Sequence, residues 1–86
     1  MRKHLYAATK AYIRAELLKA RNILNLTQEE MACRMEMSTR AYVALEGGKS
    51  CCGLLTFLFF LCRCCPDTQA FLSGLLALFK NLDARH

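Results

Sequence analysis

Residues 26–49 read LTQEEMACRMEMSTRAYVALEGGK, and the rest of the 86-residue chain is organised around them. Thr27 is a helix N-cap. Glu30, three residues later, completes the reciprocal pattern in which each side chain satisfies an orphan backbone N–H. Met31 and Met35 follow at i and i+4, one apolar stripe on a helix of about two turns. Glu36-Met37 breaks that pattern. Ser38 is a second N-cap, and behind it Ala41, Tyr42 and Leu45 recur at helical spacing until Gly47-Gly48 stops the helix. Ala32 is small enough to let two helices cross closely. This is the layout of a helix-turn-helix, a motif whose second helix lies in the DNA major groove.

The order LTQEEMA, then Ser38, then LEGGK resembles the Cro/repressor-type (XRE-like) family of bacterial and phage transcriptional regulators, over roughly residues 13–67. The resemblance implies an all-α, five-helix Cro/repressor-like domain and a regulator that binds operator DNA. It also implies that Arg21, five positions before Leu26, pairs with Glu46 at the end of the recognition helix. Carried over by position, Ser38, Thr39, Arg40, Val43 and Ala44 face the DNA. A guanidinium such as that of Arg40 can bond guanine O6 and N7 together, Thr39 can reach a base or a phosphate, and Val43 and Ala44 can pack on thymine methyls. Gln28 stands at the positive end of the second helix, where a phosphate is held, and Lys49 is a second phosphate candidate. One position departs from the family, which has glycine at the turn where this chain has Glu36. That site commonly needs φ > 0, so the turn is expected to be strained or re-shaped, at about 1 kcal/mol or more.

A chain of this length makes one domain, residues 1–86, with a single modest core. The hydrophobic fraction is 55% and the mean hydropathy is +0.17, so either the core is dense or a partner covers apolar surface. The net charge of +5 is uneven: residues 1–50 carry nine Lys/Arg against five Asp/Glu, and residues 51–86 carry three against two. The basic half contains the two-helix motif, as an anionic partner requires. Taken alone, a charge of this size is more often just solubility; double-stranded DNA is the partner that the resemblance implies. Histidines occur only at positions 4 and 86, no glycine-rich phosphate loop is present, and the carboxylates are scattered. Enzymatic activity and a cofactor are not expected.

Six cysteines stand at positions 33, 51, 52, 62, 64 and 65. The start MRKHLYAATKAY has no apolar signal region, which predicts a reducing, cytoplasmic setting and no disulfide framework. Cys62 and Cys65 have a C-x2-C spacing. The adjacent pair Cys51-Cys52, however, cannot form the usual chelating turn and no histidine lies near, so no metal is expected. The thiols read instead as small buried hydrophobes.

Around the motif, residues 1–8 read as a loose arm able to touch DNA phosphates. A first helix is expected over 9–24, apolar at Ile13, Leu17, Ala20 and Leu24 with Lys10, Arg14 and Arg21 interleaved. The apolar run 51–62 is too short for a bilayer, which needs about twenty residues, and reads as a buried fourth helix with Phe57, Phe60 and Cys64 inward. Pro66-Asp67 ends it and starts a fifth helix over 68–82. That helix carries one stripe at Phe71, Leu75, Leu78 and Leu82 and another at Leu72, Leu76 and Phe79. Two stripes exceed what one small core buries, so the C-terminal segment 68–86 is a candidate homodimer element centred on Phe79 and Leu82. The alternative is a protein-interaction module of antitoxin type, whose last helix covers another protein. A membrane-surface role is disfavoured by the polar, well-capped residues 26–49.

Overall fold

The computed structural model describes residues 3–84 and builds them into five helices, with no strand among those residues. The helices are α1 (Lys3–Leu24), α2 (Gln28–Arg34), α3 (Thr39–Glu46), α4 (Leu54–Arg63) and α5 (Thr68–Ala84). Three side chains start three of them. Thr27 Oγ1 accepts from Glu30 N at 3.1 Å while Glu30 Oε1 accepts from Thr27 N at 2.8 Å. Ser38 Oγ accepts from Ala41 N at 3.1 Å, and Asp67 Oδ1 from Ala70 N at 3.0 Å. Each satisfies a donor that the first helical turn leaves unpaired.

The first three helices end in the same way. Asn25, Glu36 and Gly48 have φ of 55°, 54° and 80°, and each follows the last helical residues as a left-handed stop. After α3, Lys49 N donates to Ala44 O at 2.9 Å and Gly48 N to Leu45 O at 3.2 Å, the paired bonds of a Schellman motif. After α2, Met37 N bonds Ala32 O and Glu36 N bonds Cys33 O in the same pattern. The Glu36 turn is therefore the strained form of the two expected. An exposed ion pair, Arg63 Nη1 to Glu36 Oε2 at 2.6 Å, holds its side chain and offsets at most about 1 kcal/mol.

The largest side chains removed from water are Leu17, Met31, Met35, Tyr42 and Phe71, one from each helix except for two on α2 and its cap, and none on α4. Met31, Ala32 and Met35 pack α2 against α3, while α1 lies against α3 and along α5. Phe71 is the aromatic hub, with ring centroids 5.6 Å from Tyr12, 5.8 Å from Phe57 and 5.3 Å from Phe60. The Tyr12 hydroxyl donates to the Phe71 carbonyl at 2.9 Å. Gly74, one turn on, is where that hydroxyl sits, and a Cβ there would collide with it.

Several expectations are corrected. The arm proposed for residues 1–8 is, from Lys3 onward, the first turns of α1; Met1 and Arg2 lie outside the described residues. Tertiary contact is the reason, since Leu5 is buried and shares an apolar recess with Phe79. The same recess corrects the placing of Phe79 far from the core. Leu82 is half-buried in line with Phe71, Leu75 and Leu78, so it belongs to the inward stripe, and Leu76 and Phe79 are the exposed pair.

The fourth helix is not buried as a whole. Phe60 and, just past its end, Cys64 are inward, with Phe57 partly covered, but Leu54, Leu55 and Leu58 stand in solvent. Three of the thiols expected inside, Cys33, Cys51 and Cys62, are exposed, as is Ala41. No helix among the described residues is long and apolar enough to cross a membrane.

Because Phe71 joins three rings from two helices, Phe71→Ala is expected to cost about 3–5 kcal/mol. Urea unfolding checks this, and a loss below about 1 kcal/mol would show that the hub collapses without penalty.

Candidate nucleic-acid interface

The carboxylate of Glu46 organises the surface presented by α2 and α3. It is the buried acid of the core, 6% exposed, and buried charge persists only when paired. Arg21 Nε meets Glu46 Oε2 at 2.9 Å and Arg21 Nη2 meets Oε1 at 3.1 Å, a bidentate fork. Gln28 Nε2 adds a bond to Oε1 at 3.1 Å, and the Tyr42 hydroxyl donates to Oε2. Arg21 Nη1 also donates to Leu26 O at 3.3 Å, tying the end of α1 to the entry of α2. The Arg21–Glu46 pair is thus formed as the resemblance implied.

Opposing effects set the protonation of this cluster. Burial alone would raise the Glu46 carboxyl, but the hydrogen bonds from Arg21, Tyr42 and Gln28 outweigh it and hold it below the ordinary carboxylate range. Burial, and then the bond to Glu46, push the Tyr42 phenol upward, so it stays a donor. The Glu46 bond raises Arg21 further despite its partial burial.

With its inner face locked, α3 turns its other face outward. Thr39, Arg40 and Val43 are exposed at i, i+1 and i+4, one face of the helix, with Val43 43% exposed. Ala44 is partly covered, so it offers less surface than its neighbours. Ser38 Oγ is engaged as the cap acceptor, which leaves its hydroxyl proton to donate. Gln28 has one amide hydrogen committed to Glu46 and keeps a second hydrogen and the carbonyl oxygen. Lys49 is exposed just past the Gly48 stop. Neither Arg40 nor Lys49 pairs with a carboxylate among the described residues.

Three participants escaped the sequence reading. Tyr42 is one turn before Glu46, and that i, i+4 spacing was a readable signal. Arg14 Nε donates to the Glu46 backbone oxygen at 2.8 Å, and Arg63 reaches Glu36 from 27 residues away; neither has a local signature. The six cysteines are free thiols, and no group of three or more His, Cys, Asp or Glu gathers to hold a metal among the described residues.

No family model matches the chain, and no curated protein or solved structure does either. The residues themselves therefore carry the functional argument.

A depressed carboxyl contributes stability that is present above its unfolded value of about 4.3 and is lost as pH falls through the lower folded value. The melting temperature is expected to drop below about pH 4, and Glu46→Gln should flatten that part of the profile. At neutral pH, Arg21→Ala strands the buried charge and should cost about 3–5 kcal/mol. Denaturant unfolding of both variants reads these effects; an Arg21→Ala loss within error of zero would mean Tyr42 and Gln28 suffice.

Proposed function

We propose that the protein is a sequence-specific, DNA-binding transcriptional regulator of Cro/repressor-like helix-turn-helix type, acting on operator DNA as a homodimer. The observation that carries this reading is the two-sidedness of α3. Tyr42, Leu45 and Glu46 are locked inward, while Thr39 and Arg40 stand on its first turn with no acid among the described residues to neutralise the guanidinium. A short helix fixed from behind, with an uncommitted arginine at its N-terminal turn, suits insertion into a major groove. The positive charge of residues 1–50 supports an anionic partner. Gln28 at the start of α2 and Lys49 past the end of α3 would contact phosphates, which set position, while Arg40 and its neighbours would set sequence.

A single domain of this size spans too few base pairs for selective binding in a genome. Two copies would place their recognition helices about 34 Å apart on one DNA face. Leu76 and Phe79, 54% and 45% exposed on α5, are the apolar side chains available to a second copy on that helix.

A second reading, a protein-interaction module of antitoxin type, is favoured by one observation. Leu54, Leu55 and Leu58 leave an apolar face on α4 next to a motif that has no need of it.

Selection from random duplexes separates the two: a regulator recovers an inverted repeat, and an interaction module recovers none. On the selected site, Arg40→Ala should cost about 1–3 kcal/mol at one base position and relax preference there. Equal loss on every sequence would assign Arg40 to a phosphate. Leu76→Glu with Phe79→Glu should sediment as a folded monomer with weakened operator binding, whereas an unchanged dimer would move the contact to α4.

A further inference from the structure

Two cations of α1, Lys10 and Arg14, belong neither to the core cluster nor to the outer face of α3. They lie four residues apart on one side of the helix and, with Ala7, Ala11, Gly47 and Gly48, line a recess of about 220 Å³. The other four walls have no side chain longer than a methyl group, and none of the six is an acid. Arg14 is anchored from within, Nε donating to the Glu46 carbonyl at 2.8 Å. That bond caps the negative end of α3, but it uses one of five donors and leaves the Nη pair unengaged among the described residues.

Lys10 Nζ rests 4.9 Å over the Tyr6 ring, which positions the ammonium without neutralising it. Gly48 has φ +80°, and a Cβ there would lie 3.5 Å from Arg14 Cδ, over the stem of the guanidinium. The carboxylate of Glu46 is engaged instead by Arg21, Tyr42 and Gln28.

Two cations lining a concave, acid-free recess suit a phosphate, for which a guanidinium supplies paired N–H groups and an ammonium a point charge. The recess lies at the C-terminal end of α3. Eight helical residues rise about 12 Å, which is also about the width of the major groove. A group bound at the Ser38 end and a phosphate at the Gly48 end are therefore separated on the scale of the groove itself.

We infer that Lys10 and Arg14 form, beside Gly47-Gly48, a clamp for a backbone phosphate of duplex nucleic acid. This rests on the DNA-binding reading above and adds to it a contact made from α1.

The test is the salt dependence of binding to duplexes of about two helical turns, both the selected site and an unrelated sequence. Each phosphate contact contributes about 0.9 to the slope of log K against log salt. Lys10→Gln should lower the slope by about that amount on both duplexes, and Lys10→Gln with Arg14→Gln by about twice as much. Lys19→Gln, an exposed cation of α1 outside the recess, should leave the slope as it is. Thermal melts identify any loss due to unfolding of the Arg14 variant, and Lys10→Gln keeps the test independent of it.

Slopes unchanged by Lys10→Gln, or lowered equally by Lys19→Gln, overturn the clamp while leaving the regulator reading intact. Sequence-independent binding whose slope still falls in Lys10→Gln overturns the regulator reading and keeps the clamp. Binding only to vesicles of phosphatidylglycerol, or no binding to duplex at low salt, overturns both.

Discussion

One buried carboxylate holds the first three helices in register. Glu46 sits at the end of α3 and takes a bidentate fork from α1, an amide from α2 and a phenol from its own helix. In net stability such a cluster returns little over a well-packed apolar substitute, because desolvating the charges offsets most of their attraction. Its value lies in direction. Apolar side chains tolerate sliding and rotation, whereas a fork with two distances near 3 Å permits one orientation of α3 relative to α1. The face carrying Thr39 and Arg40 is aimed by that constraint, and the proposed reading of DNA depends on the aim being kept.

The backbone adds a second constraint of the same kind. Asn25, Glu36 and Gly48 each reverse the chain through a left-handed residue, and glycine is used at only the last. At Asn25 a short polar side chain makes the conformation tolerable. At Glu36 the strain remains and is met by Arg63 from α4, whose guanidinium also lies 4.4 Å from the Phe59 ring centroid and donates to the Arg34 carbonyl. The turn between α2 and α3 is thus held partly by a helix that is not adjacent to it in the chain.

What could be read from residues alone follows the range of each interaction. Caps at Thr27, Ser38 and Asp67 act over three residues, and all were legible. So were Met31, Met35, Tyr42 and Leu45, whose spacing repeats within one short helix. The Arg21–Glu46 pair, 25 residues apart, came only through resemblance, and its partners Tyr42 and Gln28 were missed. Leu5 and Leu82 went wrong for one reason. Each is apolar near the outer end of its helix, where local pattern cannot say which side faces in; Leu5 is buried and Leu82 half-buried. On α4 hydrophobicity is so uniform that it cannot say which side faces in, and the exposed leucines there were invisible to pattern.

The contact between Tyr12 and Phe71 has a consequence for how the chain comes off the ribosome. These partners are 59 residues apart, so α1 cannot complete its packing until α5 has emerged. Closing so long a loop costs entropy that local contacts do not repay. Meanwhile the caps of α2 and α3 at Thr27 and Ser38 are local, although the Glu36 turn between them waits for Arg63 of α4. A nascent chain halted near Pro66 would then hold a nearly finished two-helix unit beside an α1 whose Leu5–Tyr12 side is bare. That side stays uncovered until α5 arrives, and a chaperone that binds apolar helices would find its opening in that interval.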